Sequence, residues 1–276
     1  MKTESPWLHR YAIFVALCAV IAVVLGAVVT SLLRPIAGPI AARPAAAVSF
    51  EFWHHVAGGT AVVLMLGLAI GLSSQLGWIG LGAGIVDGVL GARAIANALP
   101  ELSGILHALL AQIFFGAVVA IAVMTSESWK SGPERIEDTW RPSLRSLAVA
   151  VPAIVLLQIT LGAAYRYRAL GVIWHIFNAM IVLLLILIVA VFLIRQFPQH
   201  PTLRPAAVVL AVITSIQVML GFTTFLMLIL FPETSPAVVI TSVLHVFTGT
   251  LTFGASVALA IQIRYNAQGS PVTRAN

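Results

Sequence analysis

The sequence predicts an all-α membrane protein with eight transmembrane helices arranged as two pseudo-symmetric four-helix bundles. Three observations lead to this fold class. The 276 residues are 60% hydrophobic and only 9% charged, which is too little charge to cover a soluble domain of this size. The apolar residues form long runs separated by Pro and Gly. Two short patterns alternate along these runs, which indicates an internal duplication.

Eight apolar runs are long enough to cross a bilayer, which takes about 20 helical residues. They cover residues 11–33, 52–73, 77–98, 102–124, 144–164, 170–194, 205–230 and 237–262. The runs are too long for strands of a membrane barrel and lack the alternation of such strands. The first run is longer than a signal-peptide core and lacks a clear cleavage site, so we interpret it as a transmembrane helix.

The most charged segment divides the eight predicted helices into two sets of four. We expect an N-terminal half over residues 1–125, a linker over residues 126–145 and a C-terminal half over residues 146–276. Every odd-numbered helix contains Leu-Gly, and every even-numbered helix contains a His followed four residues later by Gly or Ala. This strict alternation favours a duplication. The glycines are Gly26, Gly91, Gly162 and Gly221, and the histidines are His54, His107, His175 and His245.

The Lys and Arg residues are scattered over short loops, so the net charge of +6 indicates topology and not a nucleic-acid partner. Ten of them fall on the side of both termini and five on the other side. We therefore expect a multi-pass protein of the cytoplasmic membrane, surrounded by lipid, with both termini and the linker in the cytoplasm. The ten are Lys2, Arg10, Lys130, Arg135, Arg141, Arg145, Arg195, Arg204, Arg264 and Arg274, and the five are Arg34, Arg43, Arg93, Arg166 and Arg168.

The four repeated histidines are candidate ligands of heme iron. In the predicted topology they lie at similar depths near the outer ends of their helices, and imidazoles at one depth on facing helices can coordinate one iron. The small residue at i+4 lies on the same helix face and leaves room for a porphyrin. The expected pairs are His54 with His107 and His175 with His245, holding two hemes, or one heme and one porphyrin substrate. For a single histidine the alternative is an interhelical hydrogen bond.

Three acidic or basic side chains near these histidines are further candidates for a functional role. Glu51 lies three residues before His54, so both can face one cavity; the alternative is a carboxylate stabilised by the helix N-terminus. Arg166 and Arg168 precede the helix of His175, as Arg34 and Arg43 precede that of His54. Arginine at this depth suits heme propionates, and snorkelling to the interface is the alternative.

Other polar residues in or near the apolar runs are expected to have less direct roles. Three of them stand four residues before the glycine of a Leu-Gly step. We therefore expect each of the three to make the same kind of polar contact between helices, and we expect a structural role for the acid among them, Asp87. His55 points away from His54 and is expected in a pocket wall or as a partner of a heme propionate, whereas His9 and His200 are expected to be solvated. The single cysteine, Cys18, excludes an intrachain disulfide and any Cys-based zinc or iron–sulfur site. The three residues before the glycines are Asp87, Gln158 and Gln217.

The chain resembles the heme A synthase family over nearly its whole length. The family's Glu-x-x-His motif at the start of helix 2 is matched by Glu51 and His54, and residues 106–112 (LHALLAQ) resemble its helix 4. The resemblance implies eight helices in two halves, with one ligand histidine on each even-numbered helix. In the second half the matching residues are Gln158 to Gly162, His175 and Leu244-His245.

The resemblance also implies an activity and its cofactors. The activity is the oxidation of a methyl group of heme O to the formyl group of heme A, with dioxygen and external electrons. Heme b would lie between His175 and His245. The substrate heme O would lie between His54 and His107, with Glu51 as the catalytic carboxylate. A heme O synthase and an electron donor would be the partners.

The chain departs from the family pattern at a few positions. His55 stands where the family has Arg, the first outer loop lacks the two cysteines that some members carry, and the loop at 165–170 is short. The alternative functions are a non-enzymatic membrane heme b electron carrier and a heme carrier or assembly protein for cytochrome oxidase.

Overall fold

The computed structural model describes residues 6–33, 45–92 and 99–269, and nearly all of them are helical. Within these residues a single helical turn at Glu127–Lys130 and two short strands, β1 (Ile136–Asp138) and β2 (Ala267–Gly269), accompany the long helices. The long helices are α1 (Pro6–Leu33), α2 (Ala45–Leu72), α3 (Gln75–Gly91), α4 (Pro100–Met124), α5 (Leu144–Arg166), α6 (Val172–Gln196), α7 (Leu203–Leu230) and α8 (Pro236–Asn266).

Seven of these helices, all except α3, are long and apolar enough to cross a membrane. The prediction of a helical, multi-pass membrane protein is therefore confirmed. Helix α3 has 17 residues and ends at Gly91, whereas the predicted run extends to residue 98. Most of the remaining run lies outside the described residues, so the eighth span stays a prediction.

The helices pack in two sets of four, each of which closes on itself. In the first set α1 packs on α2, α2 on α3, α3 on α4, and α4 returns to α1. In the second set α5 packs on α6, α6 on α7, α7 on α8, and α8 returns to α5. Contacts between the sets join α1 to α8, α4 to α8 and α4 to α5.

Small and medium apolar residues form the contact faces of these helices. Helix α1, for example, buries Ala12, Val15 and Ala19, which recur every three or four residues and therefore lie on one face. Its other face carries large exposed side chains such as Phe14 and Leu17. An apolar surface of this extent is typical of a protein whose solvent is lipid.

The segment that follows α4 packs against the ends of the helices. Strand β1 pairs in parallel with β2, which follows α8. The Asp138 carboxylate accepts hydrogen bonds from the backbone N–H groups of Leu144 at 2.8 Å and Arg145 at 2.9 Å. These contacts satisfy free N–H groups at the start of α5. The predicted linker is therefore part of the packed structure at the start of α5.

His200 lies between α6 and α7 and is buried, so the expectation that it is solvated is wrong. Its Nε2 donates to the carbonyl oxygen of Glu134 at 3.1 Å, and its Nδ1 accepts from the backbone N–H of Leu203 at 3.2 Å. It thus connects the predicted linker to the start of α7. His9 is also partly covered, with Nδ1 2.9 Å from the carbonyl oxygen of Ala122.

Candidate functional site

The four repeated histidines lie in two facing pairs. The ring centroids of His54 and His107 are 5.8 Å apart, with planes inclined by 79°. Those of His175 and His245 are 6.1 Å apart, with planes inclined by 83°. Two imidazoles that bind one metal through bonds of about 2 Å have centroids roughly 6 Å apart. Ordinary edge-to-face ring pairs have similar separations, so the distance alone does not indicate a metal site. The hydrogen bonds of the rings are the more informative observation.

Three of the four rings turn Nδ1 toward a main-chain carbonyl oxygen of the preceding helix. A carbonyl oxygen only accepts, so Nδ1 carries the proton and Nε2 keeps its lone pair. An imidazole held through Nδ1–H, with a free lone pair on Nε2, is the form that binds a metal ion. The Nδ1–O distances are 2.8 Å for His54 and Ala22, 3.1 Å for His107 and Asp87, and 3.1 Å for His175 and Gln158.

His245 lies in the same setting with a looser contact. Its buried Nδ1 approaches the backbone of Gln217 but does not complete a hydrogen bond. Gln217 precedes Gly221 by four residues, as the acceptors of the other three rings precede their glycines. The fourth histidine therefore belongs to the same repeated arrangement.

The Leu-Gly pattern marks the place where each imidazole packs on the preceding helix. A Cβ built on any of these glycines would lie 2.9–3.0 Å from Cε1 of the facing histidine. This is tighter than an ordinary contact, so a larger residue at these positions would force the imidazole or the helix to shift. One unit, a main-chain acceptor and a glycine four residues later, thus holds the histidine of the next helix. The four glycines are Gly26, Gly91, Gly162 and Gly221.

A methyl group added at one of these glycines is expected to displace the histidine. For Gly162→Ala we expect the affinity of the second pair for heme to fall by about 10–100-fold, the usual cost of losing support for a ligand. The measurement is heme bound per purified polypeptide. The control is Gly88→Ala, because a Cβ at this helical position meets no heavy atom within 4 Å. Equal heme content in the two variants would contradict this role of Gly162.

Asp87, Gln158 and Gln217 each contact the histidine of the following helix, as expected. The Gln158 amide nitrogen lies 3.0 Å from Nδ1 and 3.2 Å from Nε2 of His175. The Nε2 lone pair points away from Nδ1, so a group in line with it would lie much farther from Nδ1 than from Nε2. The two distances are nearly equal, and the amide therefore lies beside the ring. The lone pair of His175 therefore stays directed away from Gln158.

Gln217 lies beside His245 and against Gly249. Its amide nitrogen is 3.5 Å from Nε2 of His245, and its amide oxygen accepts a hydrogen bond from Thr248. A Cβ at Gly249 would lie 3.0 Å from this amide nitrogen, whereas Gly58 has no heavy atom near it. The small residue four positions after the histidine thus has different surroundings in two helices. In α8, Gly249 makes room for Gln217, whereas in α2 Gly58 borders open space.

Glu51 lies on α2, one turn before His54, and is half-buried. Helix α2 begins at Ala45, six residues earlier, and has no acidic residue in its first turn. A helix N-terminus stabilises charge only within that turn. The alternative interpretation of Glu51 as a helix-start carboxylate therefore does not apply. His55 is exposed, and its ring lies 5.5 Å from that of His54.

Arg166 connects the end of α5 to the first set of helices. Its Nη2 donates to the carbonyl oxygen of Ala27 at 2.9 Å and to the hydroxyl of Ser31 at 2.5 Å. It is also near enough to His245 to interact with that ring electrostatically. Arg166 therefore lies beside the second pair and against α1.

Arg168 and Tyr167 follow in the same loop. The guanidinium of Arg168 is mostly exposed, and its Nη2 lies 3.8 Å from a carboxylate oxygen of Glu233. The ring of Tyr167 packs on Gly104 of α4, where a Cβ would lie 2.3 Å from Cζ. The loop thus adds a contact with the first set of helices. Arg34, Arg43 and Arg93 lie outside the described residues, as do Lys2 and Arg274.

The donor set of each pair consists of two imidazole nitrogens. Within residues 6–33, 45–92 and 99–269, no group of three or more His, Cys, Asp or Glu side chains is arranged to hold a metal ion. Each histidine pair offers two nitrogen ligands, and a porphyrin supplies the other four that iron takes in heme. The residues present therefore fit heme.

Comparison with known proteins adds no assignment. No protein-family model matches the chain, and no curated protein matches it. The functional argument therefore depends on the geometry of the two histidine pairs and on the residues around them.

Sequence reasoning missed the main-chain acceptor in the first unit. Ala22 offers no polar side chain, yet its carbonyl oxygen makes the shortest Nδ1 contact of the set. The available signal was its register, since Ala22 precedes Gly26 by the same four residues that separate Asp87 from Gly91. Asn178 was also missed; it donates to the side-chain oxygen of Gln158 at 2.8 Å.

Proposed function

We propose that this protein is a heme-dependent membrane oxidoreductase of the heme A synthase type, which oxidises a methyl group of heme O to a formyl group with dioxygen. The observation that carries the proposal is the repeated unit that presents four histidines in two facing pairs. Bound heme supplies the oxygen and electron-transfer chemistry. The protein holds the porphyrins, keeps lipid and water from them and delivers protons.

The two sets of helices form pseudo-symmetric bundles in this proposal. Exchanging the halves replaces α1 by α5 and α4 by α8, and the reverse. The contact of α1 with α8 then becomes the contact of α5 with α4, and the contact of α4 with α8 is unchanged. The observed contacts between the sets therefore agree with this symmetry. The repeated histidine unit obeys the same exchange. Each bundle thus provides one porphyrin site between its second and fourth helices.

The two sites have different tasks in this proposal. Heme b lies between His175 and His245, where Arg166 provides a positive charge for a propionate. The substrate heme O lies between His54 and His107. Arg168, with its exposed guanidinium, is a second candidate to bind a propionate at the outer surface.

Glu51 distinguishes the first site from the second. The positions three residues before the other histidines are occupied by Gly104, Val172 and Ser242. A half-buried carboxylate one turn from His54 can accept and release protons at the mouth of the first site. Pure electron transfer needs no acid there, so Glu51 supports an enzyme.

A non-enzymatic carrier with two hemes, or a heme carrier in cytochrome oxidase assembly, is the second candidate. The nearly equal geometry of the two pairs favours it, with centroid separations of 5.8 Å and 6.1 Å. In that case both pairs hold resident hemes and neither porphyrin is modified. A heme O synthase and an electron donor are the partners that the enzyme requires.

Pigment analysis separates these functions. The protein is expressed with and without a heme O source, and the extracted pigments are identified by mass. The enzyme is expected to yield formyl-bearing heme only when heme O is supplied. Unmodified heme O and heme b from the protein, in the presence of dioxygen and a competent electron donor, would favour a carrier.

We also propose that both termini and the predicted linker are cytoplasmic. Gly132 and Pro232 are separated by three helices, α5 to α7, so they should lie on opposite sides of the membrane. Reporter fusions at Gly132 are expected to be active in the cytoplasm, and those at Pro232 on the outer side. Two fusions that report the same side would refute this topology.

A further inference from the structure

One of the four histidine units differs from the others by a charge. The carboxylate Oδ1 of Asp87 lies 2.8 Å from Nδ1 of His107, beside the main-chain oxygen of the same residue at 3.1 Å. The N–H points toward the main-chain oxygen, and the carboxylate oxygen flanks it. The positions equivalent to Asp87 are occupied by neutral residues, Ala22, Gln158 and Gln217.

This acid is not needed to hold the histidine. Ala22 holds His54 through its main-chain oxygen alone, with a shorter Nδ1–O distance than that of the Asp87 unit. The side chain of Asp87 is only 17% exposed, and an ionisable group inside a membrane segment is costly. An effect of Asp87 on the porphyrin site of His107 explains this free-energy cost better than the structural role predicted from the sequence.

A carboxylate beside Nδ1–H changes the ligand at the opposite nitrogen. It increases the basicity of the imidazole and places negative charge near whatever Nε2 binds. Charge and hydrogen bonding near a ligand are among the ways in which a protein sets the potential of heme iron. Greater electron donation favours the oxidised iron and therefore lowers its reduction potential.

We propose that Asp87 is a positioning residue that makes His107 a stronger donor than the other three histidines and so gives the two porphyrin sites different reduction potentials. This inference depends on the proposed function, which places a porphyrin between His54 and His107. The two sites share a ligand set, and this acid is one of the differences between them. The first site, which also has Glu51, is then the one with electron-rich iron.

The experiment measures the midpoint potential of heme in the first site. His175→Ala removes a ligand of the second site, so heme O bound by this full-length protein, expressed with a heme O source, reports the first. In that background, Asp87→Asn keeps the shape without the charge, and Asp87→Gln introduces the residue of the second half. Both are expected to shift the potential in the positive direction, while Asp87→Glu stays close to the parent protein. An unmoved potential in a heme-loaded Asp87→Gln variant would overturn the proposal.

A reciprocal variant tests the same idea without relying on the folding of Asp87 variants. Gln158→Glu, in a His54→Ala background, places a carboxylate beside His175 and should shift the heme b potential in the negative direction. An unchanged potential there would also overturn the proposal. The two proposals fail differently: heme absent from the first site of the His175→Ala parent rejects that porphyrin site, whereas bound heme with unmoved potentials rejects only the role of Asp87.

Discussion

Glu51→Gln is expected to abolish nearly all heme A formation, with a normal protein level and a normal b-type spectrum. The variant keeps the shape of the side chain and removes its charge and its proton. General acid–base catalysis is worth about 10²–10⁴ in rate. Helix α2 begins six residues before Glu51, so the charge adds no stability at the helix start. The measurement is heme A formed per protein under conditions in which heme O, dioxygen and electrons are not limiting.

Glu101→Gln is the matched control for this substitution. Glu101 is an exposed acid in the first turn of α4, six residues before His107. The same chemical change there should cost no more than about 0.3–1 kcal/mol of stability, the worth of a charge at a helix start. Wild-type heme A formation by Glu51→Gln would show that the carboxylate has no part in the chemistry.

His175→Ala and His245→Ala are each expected to remove the b-type signal of the second site. Each substitution deletes one of the two proposed ligands, whose ring centroids are 6.1 Å apart, and a single histidine would hold heme less tightly than the pair. Reduced-minus-oxidised spectra of the purified variants measure the loss. His54→Ala serves as the control, because it leaves the second pair intact and should retain this signal. Unchanged spectra in both second-half variants would reject the ligand assignment.

The histidine pairs could be predicted because the residues that form them recur in a pattern that the sequence shows directly. Four histidines that alternate with four Leu-Gly steps identify both the repeat and the partners. The role of the glycine could not be predicted, since it depends on how closely two helices approach. The acceptor at Ala22 was hidden for a related reason: a main-chain oxygen makes the contact, and every residue type has one.

The ends of the helices were predicted less well than their existence. The run predicted from residue 52 begins at Ala45 in the structure, because alanine favours a helix without belonging to a long apolar run. Glu51 consequently lies inside the helix. The burial of His200 was missed because the residues that cover it come from distant parts of the chain, including Glu134.

The pairing of β1 with β2 has a consequence for biogenesis. Ala267 follows Asp138 by 129 residues, so β1 cannot close until four further helices have been synthesised. At about 5–20 residues per second this delay lasts roughly 6–26 s. During that time the segment after α4 lacks its partner strand, while the first four helices are already made. Closure of this strand pair therefore marks the moment at which a nascent chain has both of its halves in place.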